Sequence, residues 1–144
     1  MSATKELFPW KPEYNVNHAG IDSQHKRLAA IVNKLYAGMS AGKGGAMIGP
    51  ILTELLEYTK THFAFEEREM DRVGYPVAAQ HKELHRKLVK QVSEMASQWR
   101  NEQAVSVVEV AEFLKVWLIQ HIGENDRPLA SHLGAKGKSA AVAV

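Results

Sequence analysis

The chain has no cysteine. A disulfide, an iron–sulfur cluster and a zinc–thiolate site are therefore excluded within it. No run approaches the ~20 apolar residues of a membrane span, and the opening MSATKELFPWKPEYN holds no apolar stretch of the kind a signal peptide needs. The cytoplasm is the expected location. Charge of one sign is scarce too, since 18 Lys and Arg stand against 16 Asp and Glu, a formal net charge of +2. That balance gives no electrostatic reason to expect nucleic acid or an anionic membrane as a partner. No segment alternates with period two, so no sheet is expected.

What is present is an ordinary globular composition, 45% hydrophobic and 24% charged over 144 residues. A single domain of that length can bury ~70% of the surface its unfolded chain exposes. Residues 1–17 read as an N-terminal arm, because Pro9 and Pro12 with Trp10 and Tyr14 favour an extended aromatic segment over a helix. From about residue 18 the period turns helical through Ile21, His25, Leu28, Val32, Leu35 and Met39, with Asn17 or Asp22 as the cap. SAGKGG, residues 40–45, ends this run. A second stripe carries Ile48, Ile51, Leu52, Leu55, Thr59, His62, Phe63, Glu66 and Met70 and stops near Gly74. A third carries Val77, His81, Leu84, His85, Leu88, Val92, Met95 and Trp99. The fourth runs through Val107, Val110, Ala111, Leu114, Trp117, Leu118 and His121 before meeting Gly123 and Pro128. Short connections between amphipathic helices predict an all-α, antiparallel up-down-up-down four-helix bundle over residues 18–133. The tail, 134–144, is small and loosely patterned and is expected to be mobile.

Seven histidines are present, and five of them, His25, His62, His81, His85 and His121, fall on apolar stripes. His62 with Glu66, and His81 with His85, are spaced i,i+4 and so share a helix face. One histidine on an apolar face is more often a hydrogen-bonded core residue than a ligand. Five of them with a core carboxylate would cost on the order of 1–3 kcal/mol each if left unpartnered, against a net stability of only ~5–15 kcal/mol. A metal resolves the conflict. Asp126 joins the group less directly. Five residues after His121 on a regular helix it points ~140° away, and Gly123 between them is the expected point of loosening. A surface position or a cap for the following segment is the alternative for Asp126. The resulting set of five imidazoles and two carboxylates exceeds the needs of one zinc and is too nitrogen-rich for calcium or magnesium. It suits two iron ions. With two bridging carboxylates and a bridging hydroxide, one position on a six-coordinate pair stays open for a small ligand.

The segments IDSQH (21–25), HFAFEE (62–67), HKELH (81–85) and WLIQHIGEND (117–126), in this order, resemble the hemerythrin family, most closely its single-domain bacterial branch. The resemblance implies that His81, His85 and His121 bind one iron and His25 and His62 the other, which keeps the open position, with Glu66 and Asp126 bridging. It implies two non-haem irons, Fe2+/Fe3+, with a bridging oxo or hydroxo group, and reversible dioxygen binding without catalysis, for storage, transport or delivery. The net charge of the centre is then the same with and without the ligand, which spares a buried site the cost of a new charge. Leu28, Phe63, Trp117, Leu118 and Ile122 each lie within a helical turn of a ligand and are the candidate walls of an oxygen pocket. Of these, Phe63, Leu118 and Ile122 resemble the family's pocket residues by position. His18 and His132 are expected to be solvated, and Glu67 and Glu69 to face solvent.

Three other readings have sequence-level tests. A ferritin-like di-iron oxidase or iron store needs Glu-x-x-His motifs, and no histidine here has a Glu three residues before it. A zinc hydrolase needs His-Glu-x-x-His, and HKELH has its Glu one place late. An oxygen or redox sensor would act through a partner protein, as would oxygen delivery, and no patch in the sequence identifies one.

Overall fold

The apolar stripes become four helices in a computed structural model that describes residues 6–40, 45–100 and 107–134. They are α1 (Ala19–Ser40), α2 (Gly45–Val73), α3 (Ala78–Arg100) and α4 (Val107–His121). The α1 helix packs on α2 and α4, and α2 packs on α3. This is a four-helix bundle, and no strand occurs among the described residues. None of its helices is long and apolar enough to cross a membrane. Residues 41–44, within the segment expected to end the first helical run, and the tail beyond 134, expected to be mobile, fall outside the described residues.

Local chemistry sets the helix ends. His18, rather than Asn17 or Asp22, caps α1, with its Nδ1 accepting the Ile21 N–H at 3.1 Å. Asp22 reaches back instead, accepting the N–H of Val16 at 2.7 Å and of His18 at 3.3 Å. This reciprocal arrangement satisfies donors that a helix start leaves free. His18 is thus a half-buried cap rather than a solvated side chain. At the other end of α2, Gly74 takes φ +63° and the Tyr75 N–H returns to the Met70 carbonyl at 2.9 Å, a Schellman stop. Val77, expected on the apolar stripe of α3, lies in the turn before the helix and is 45% exposed.

From residue 6 the described part of the arm carries a 3-10 turn at Pro12–Tyr14, flanked by extended Lys11 and Asn15. Asn33 of α1 holds it by donating to the Phe8 carbonyl at 2.9 Å and accepting the Phe8 N–H at 2.7 Å. Arg127 donates to the carbonyls of Glu13 and Asn15. Phe8, buried in the core, meets Trp10 and Tyr14 in an aromatic cluster.

The buried apolar residues form two clusters. One holds Leu28, Leu35, Leu55, Phe63, Leu88, Leu114 and Leu118, the other Val16, Ile21, Met70, Ile122, Leu129 and Leu133. Along α1, α2 and α4 the chain passes from one to the other through His25, through Glu66 and through His121. A polar layer therefore divides the core.

Candidate metal centre

That layer consists of His25, His62, Glu66, His81, His85, His121 and Asp126, each no more than 4% exposed. All four helices contribute, through the i,i+4 pairs on α2 and α3 and single residues on α1 and α4. Asp126 arrives by a different route from the one expected. Residues Ile122–Asp126 form a π turn, closed by the Arg127 N–H on the Ile122 carbonyl. The wider turn returns the fifth residue after His121 to the face of His121. Gly123 is not what makes this possible, since a side chain there would meet nothing within 4 Å. The chain stays helical over 127–134.

The carboxylates divide their oxygens between two sets of imidazoles. Asp126 Oδ1 lies 3.0 Å from His81 Nε2 and 3.2 Å from His121 Nε2, while its Oδ2 lies 2.9 Å from His25 Nε2. Glu66 Oε1 lies 3.2 Å from His85 Nε2, and its Oε2 3.2 Å from His62 Nε2. Two groups able to hold a cation result. One is Glu66, His81, His85, His121 and Asp126, the other His25, His62, Glu66 and Asp126. Both carboxylates belong to both groups, so a pair of cations seated here would be bridged twice.

The donor set fits metal ions better than it fits itself. All four carboxylate oxygens, His62 Nε2 and both ring nitrogens of His25 are buried without a hydrogen-bond partner. The contacts are short, but the atoms do not point at one another as donor and acceptor. His121 Nε2 lies 3.1 Å from His81 Nε2 and 3.2 Å from His85 Nε2. Donors at right angles around a cation, each about 2.1–2.2 Å from it, sit about 3 Å apart. Buried atoms of His25, His62, Glu66 and Asp126 left unpartnered within a layer of seven polar side chains are a costly arrangement unless cations complete it.

The electrostatics agree. Burial pushes His25 down, but the adjoining Asp126 and Glu66 carboxylates outweigh it and raise the group to about 9. His85 is likewise raised, against burial, by Glu66 and Glu67. Burial dominates at His121, which is lowered. Glu66 and Asp126 resist burial and are held well below the usual carboxylate range by the imidazoles around them. The carboxylates therefore remain anionic and call for positive charge.

Two outer residues fix the rings. Gln24 Oε1 lies 2.6 Å from His62 Nδ1, and Glu67 Oε2 lies 2.9 Å from His85 Nδ1. With the ring proton donated at Nδ1, each Nε2 turns its lone pair to the centre. The expectation that Glu67 faces solvent is corrected here, because its side chain is only 32% exposed and bonds a core imidazole. The signal was available in its spacing. Glu67 follows Phe63 by four residues on α2, and Phe63 stacks on the same His85 ring at 3.7 Å and 2°. Glu69 pairs with Arg72 at the surface.

Of the candidate pocket residues, Leu28, Phe63 and Leu118 are buried in the larger cluster. Trp117 is half-buried and stacks on His121 at 4.3 Å. Ile122 is buried in the other cluster, beyond the polar layer. His132 packs edge-on against Tyr75, outside the cation-holding groups.

Comparison with known proteins agrees with this geometry. The family profile described as hemerythrin HHE cation binding domain matches residues 17–133. Bacteriohemerythrin of Stenotrophomonas maltophilia is 33% identical over 129 residues, 90% of this chain and 83% of that protein. Bacteriohemerythrin of Methylococcus capsulatus is 33% identical over 122 residues, 84% of this chain and 92% of that protein. Among solved structures, wild-type hemerythrin superposes with a TM-score of 0.81 at 32% identity, covering 88% of this chain and 98% of that one. With a matching profile across most of its length and a buried cation-holding cluster at the family's core, the chain belongs to the hemerythrin family.

Proposed function

We propose that this protein holds two iron ions between its helices and binds dioxygen reversibly, as an oxygen store or carrier rather than a catalyst. The observation that carries the reading is the division of each bridging carboxylate between two imidazole sets, one oxygen to each side. In this reading His81, His85 and His121 hold one iron, His25 and His62 the other, and Glu66 and Asp126 join them. When bound, the iron pair supplies the electrons that hold dioxygen and recovers them on release.

The remaining work falls to the chain. The His25/His62 side offers four donor groups against five on the other, and this shortfall is the natural place for a small ligand. Glu67 and Gln24 keep the ring protons at Nδ1 of His85 and His62, away from the centre. Leu28, Phe63 and Leu118, at 1%, 3% and 5% exposure, exclude water on the larger-cluster side. A dry wall keeps bulk protons from a ligand that must leave as it came.

The test is a visible spectrum of the reduced, iron-supplied chain cycled between oxygen and argon. A charge-transfer band that appears under oxygen and vanishes under argon over repeated cycles is expected. Irreversible oxygen consumption with a reductant present would instead identify an oxidase.

A further inference from the structure

A centre that gives electrons to oxygen is sometimes left oxidised, and this chain has no cysteine with which to restore it. The reductant must come from outside. A groove of about 510 Å3 between α2 and α3 reaches the site from the surface. Its floor is the stacked pair of Phe63 and His85, and its walls include Ala64 and Val89. Lys60, Arg86 and Lys90 stand around it, with Glu67 engaged by His85, while Lys60 and Arg86 also pair at the surface with Glu57 and Glu83. The volume and the mix of apolar wall with few charged groups are those of a small-molecule site. A second cavity of about 280 Å3 touches the site at His121, but its lining includes Glu124 and no lysine or arginine.

We propose that the α2–α3 groove seats a flat aromatic two-electron carrier bearing an anionic group, of the reduced flavin mononucleotide class, which returns the oxidised centre to the ferrous state. The apolar walls accept the ring, Lys90 accepts the phosphate with Lys60 and Arg86 turning to it from their surface pairs, and the seated ring lies over Phe63, which stacks on His85. Reduced flavin mononucleotide gives up two electrons and two protons. Each ferric ion takes one electron, the protons pass to solvent, and no bond to the protein forms. The inference rests on the di-iron reading above.

The experiment titrates the full, iron-loaded chain with flavin mononucleotide by fluorescence, then mixes the oxidised chain anaerobically with the reduced flavin. Saturable binding below millimolar concentration, weakening with salt, is expected. The double variant Lys60→Glu with Lys90→Glu should lose about tenfold or more in affinity and a similar factor in reduction rate. Ala64→Trp, which fills the groove without changing charge, should do the same. A control pair of equal charge outside the groove lining, Lys34→Glu with Lys87→Glu, should keep both. Absence of binding, equal loss in the control pair, or lost binding with an unchanged reduction rate would each overturn the proposal. Iron content of the same samples separates the two readings. A wild-type chain without iron overturns the di-iron reading, whereas an iron-loaded chain that ignores flavin overturns this one.

Discussion

Glu67 on α2 bonds the outer nitrogen of His85 on α3 at 2.9 Å, tying a half-exposed carboxylate to a wholly buried ring. This contact fixes the ring's tautomer and raises its basicity towards the centre. Glu67→Ala is expected to weaken iron binding about 10- to 100-fold, and Glu67→Gln, which keeps an acceptor oxygen, to weaken it less. Iron retention during dialysis against graded chelator measures both. Equal retention by wild type and Glu67→Ala would show that the contact does not position the ring.

The π turn makes a claim about Gly123. Because a Cβ there meets nothing within 4 Å, Gly123→Ala should leave iron content unchanged. It should also raise stability by about 0.4–1 kcal/mol through a less flexible unfolded chain. Thermal unfolding and metal analysis check this together. Loss of iron in Gly123→Ala would mean that the glycine itself, and not the wider turn, brings Asp126 inward.

Leu118 is 5% exposed and packs in the larger cluster one turn before His121. Leu118→Asn puts a polar group into that wall at a cost of about 1–3 kcal/mol, and opens it to water. The oxygenated protein should then oxidise faster, read as decay of its visible band. An unchanged decay rate removes Leu118 from the pocket.

The metal-free chain should respond to pH in a particular direction. His25 rises from 6.5 to about 9 on folding, so its contribution is complete below 6.5 and disappears as pH climbs towards 9. Glu66 and Asp126 are depressed from 4.5 and 3.8, so theirs is present above those values and is lost as pH falls. Metal-free protein should therefore be most stable between about 4.5 and 6.5 and weaken towards 9. Iron takes the place of the His25 proton, so the gain on loading should grow over that same upper range. Melting temperatures of both forms across pH test this. A gain that shrinks as pH rises would contradict it.

Much of this was legible in the residues. Helical period placed His62 with Glu66 and His81 with His85 on common faces, and a face that mixes leucine with histidine must be buried. The bundle and six of the converging residues followed from those spacings. Asp126 did not follow cleanly, because a π turn leaves no mark in periodicity. Glu67 is not legible from periodicity alone, because one hundred degrees of rotation from Glu66 points outward on an isolated helix but towards α3 in the bundle. The His18 cap escaped because Ser, Thr, Asp and Asn are the usual candidates for that position. Val77 extended an apolar stripe into what is a turn.

The central claim is that two iron ions complete this layer, bridged by Glu66 and Asp126. Metal analysis of the purified, iron-supplied chain tests it most directly. Two irons per chain with negligible zinc are predicted, and one iron or none would contradict the account.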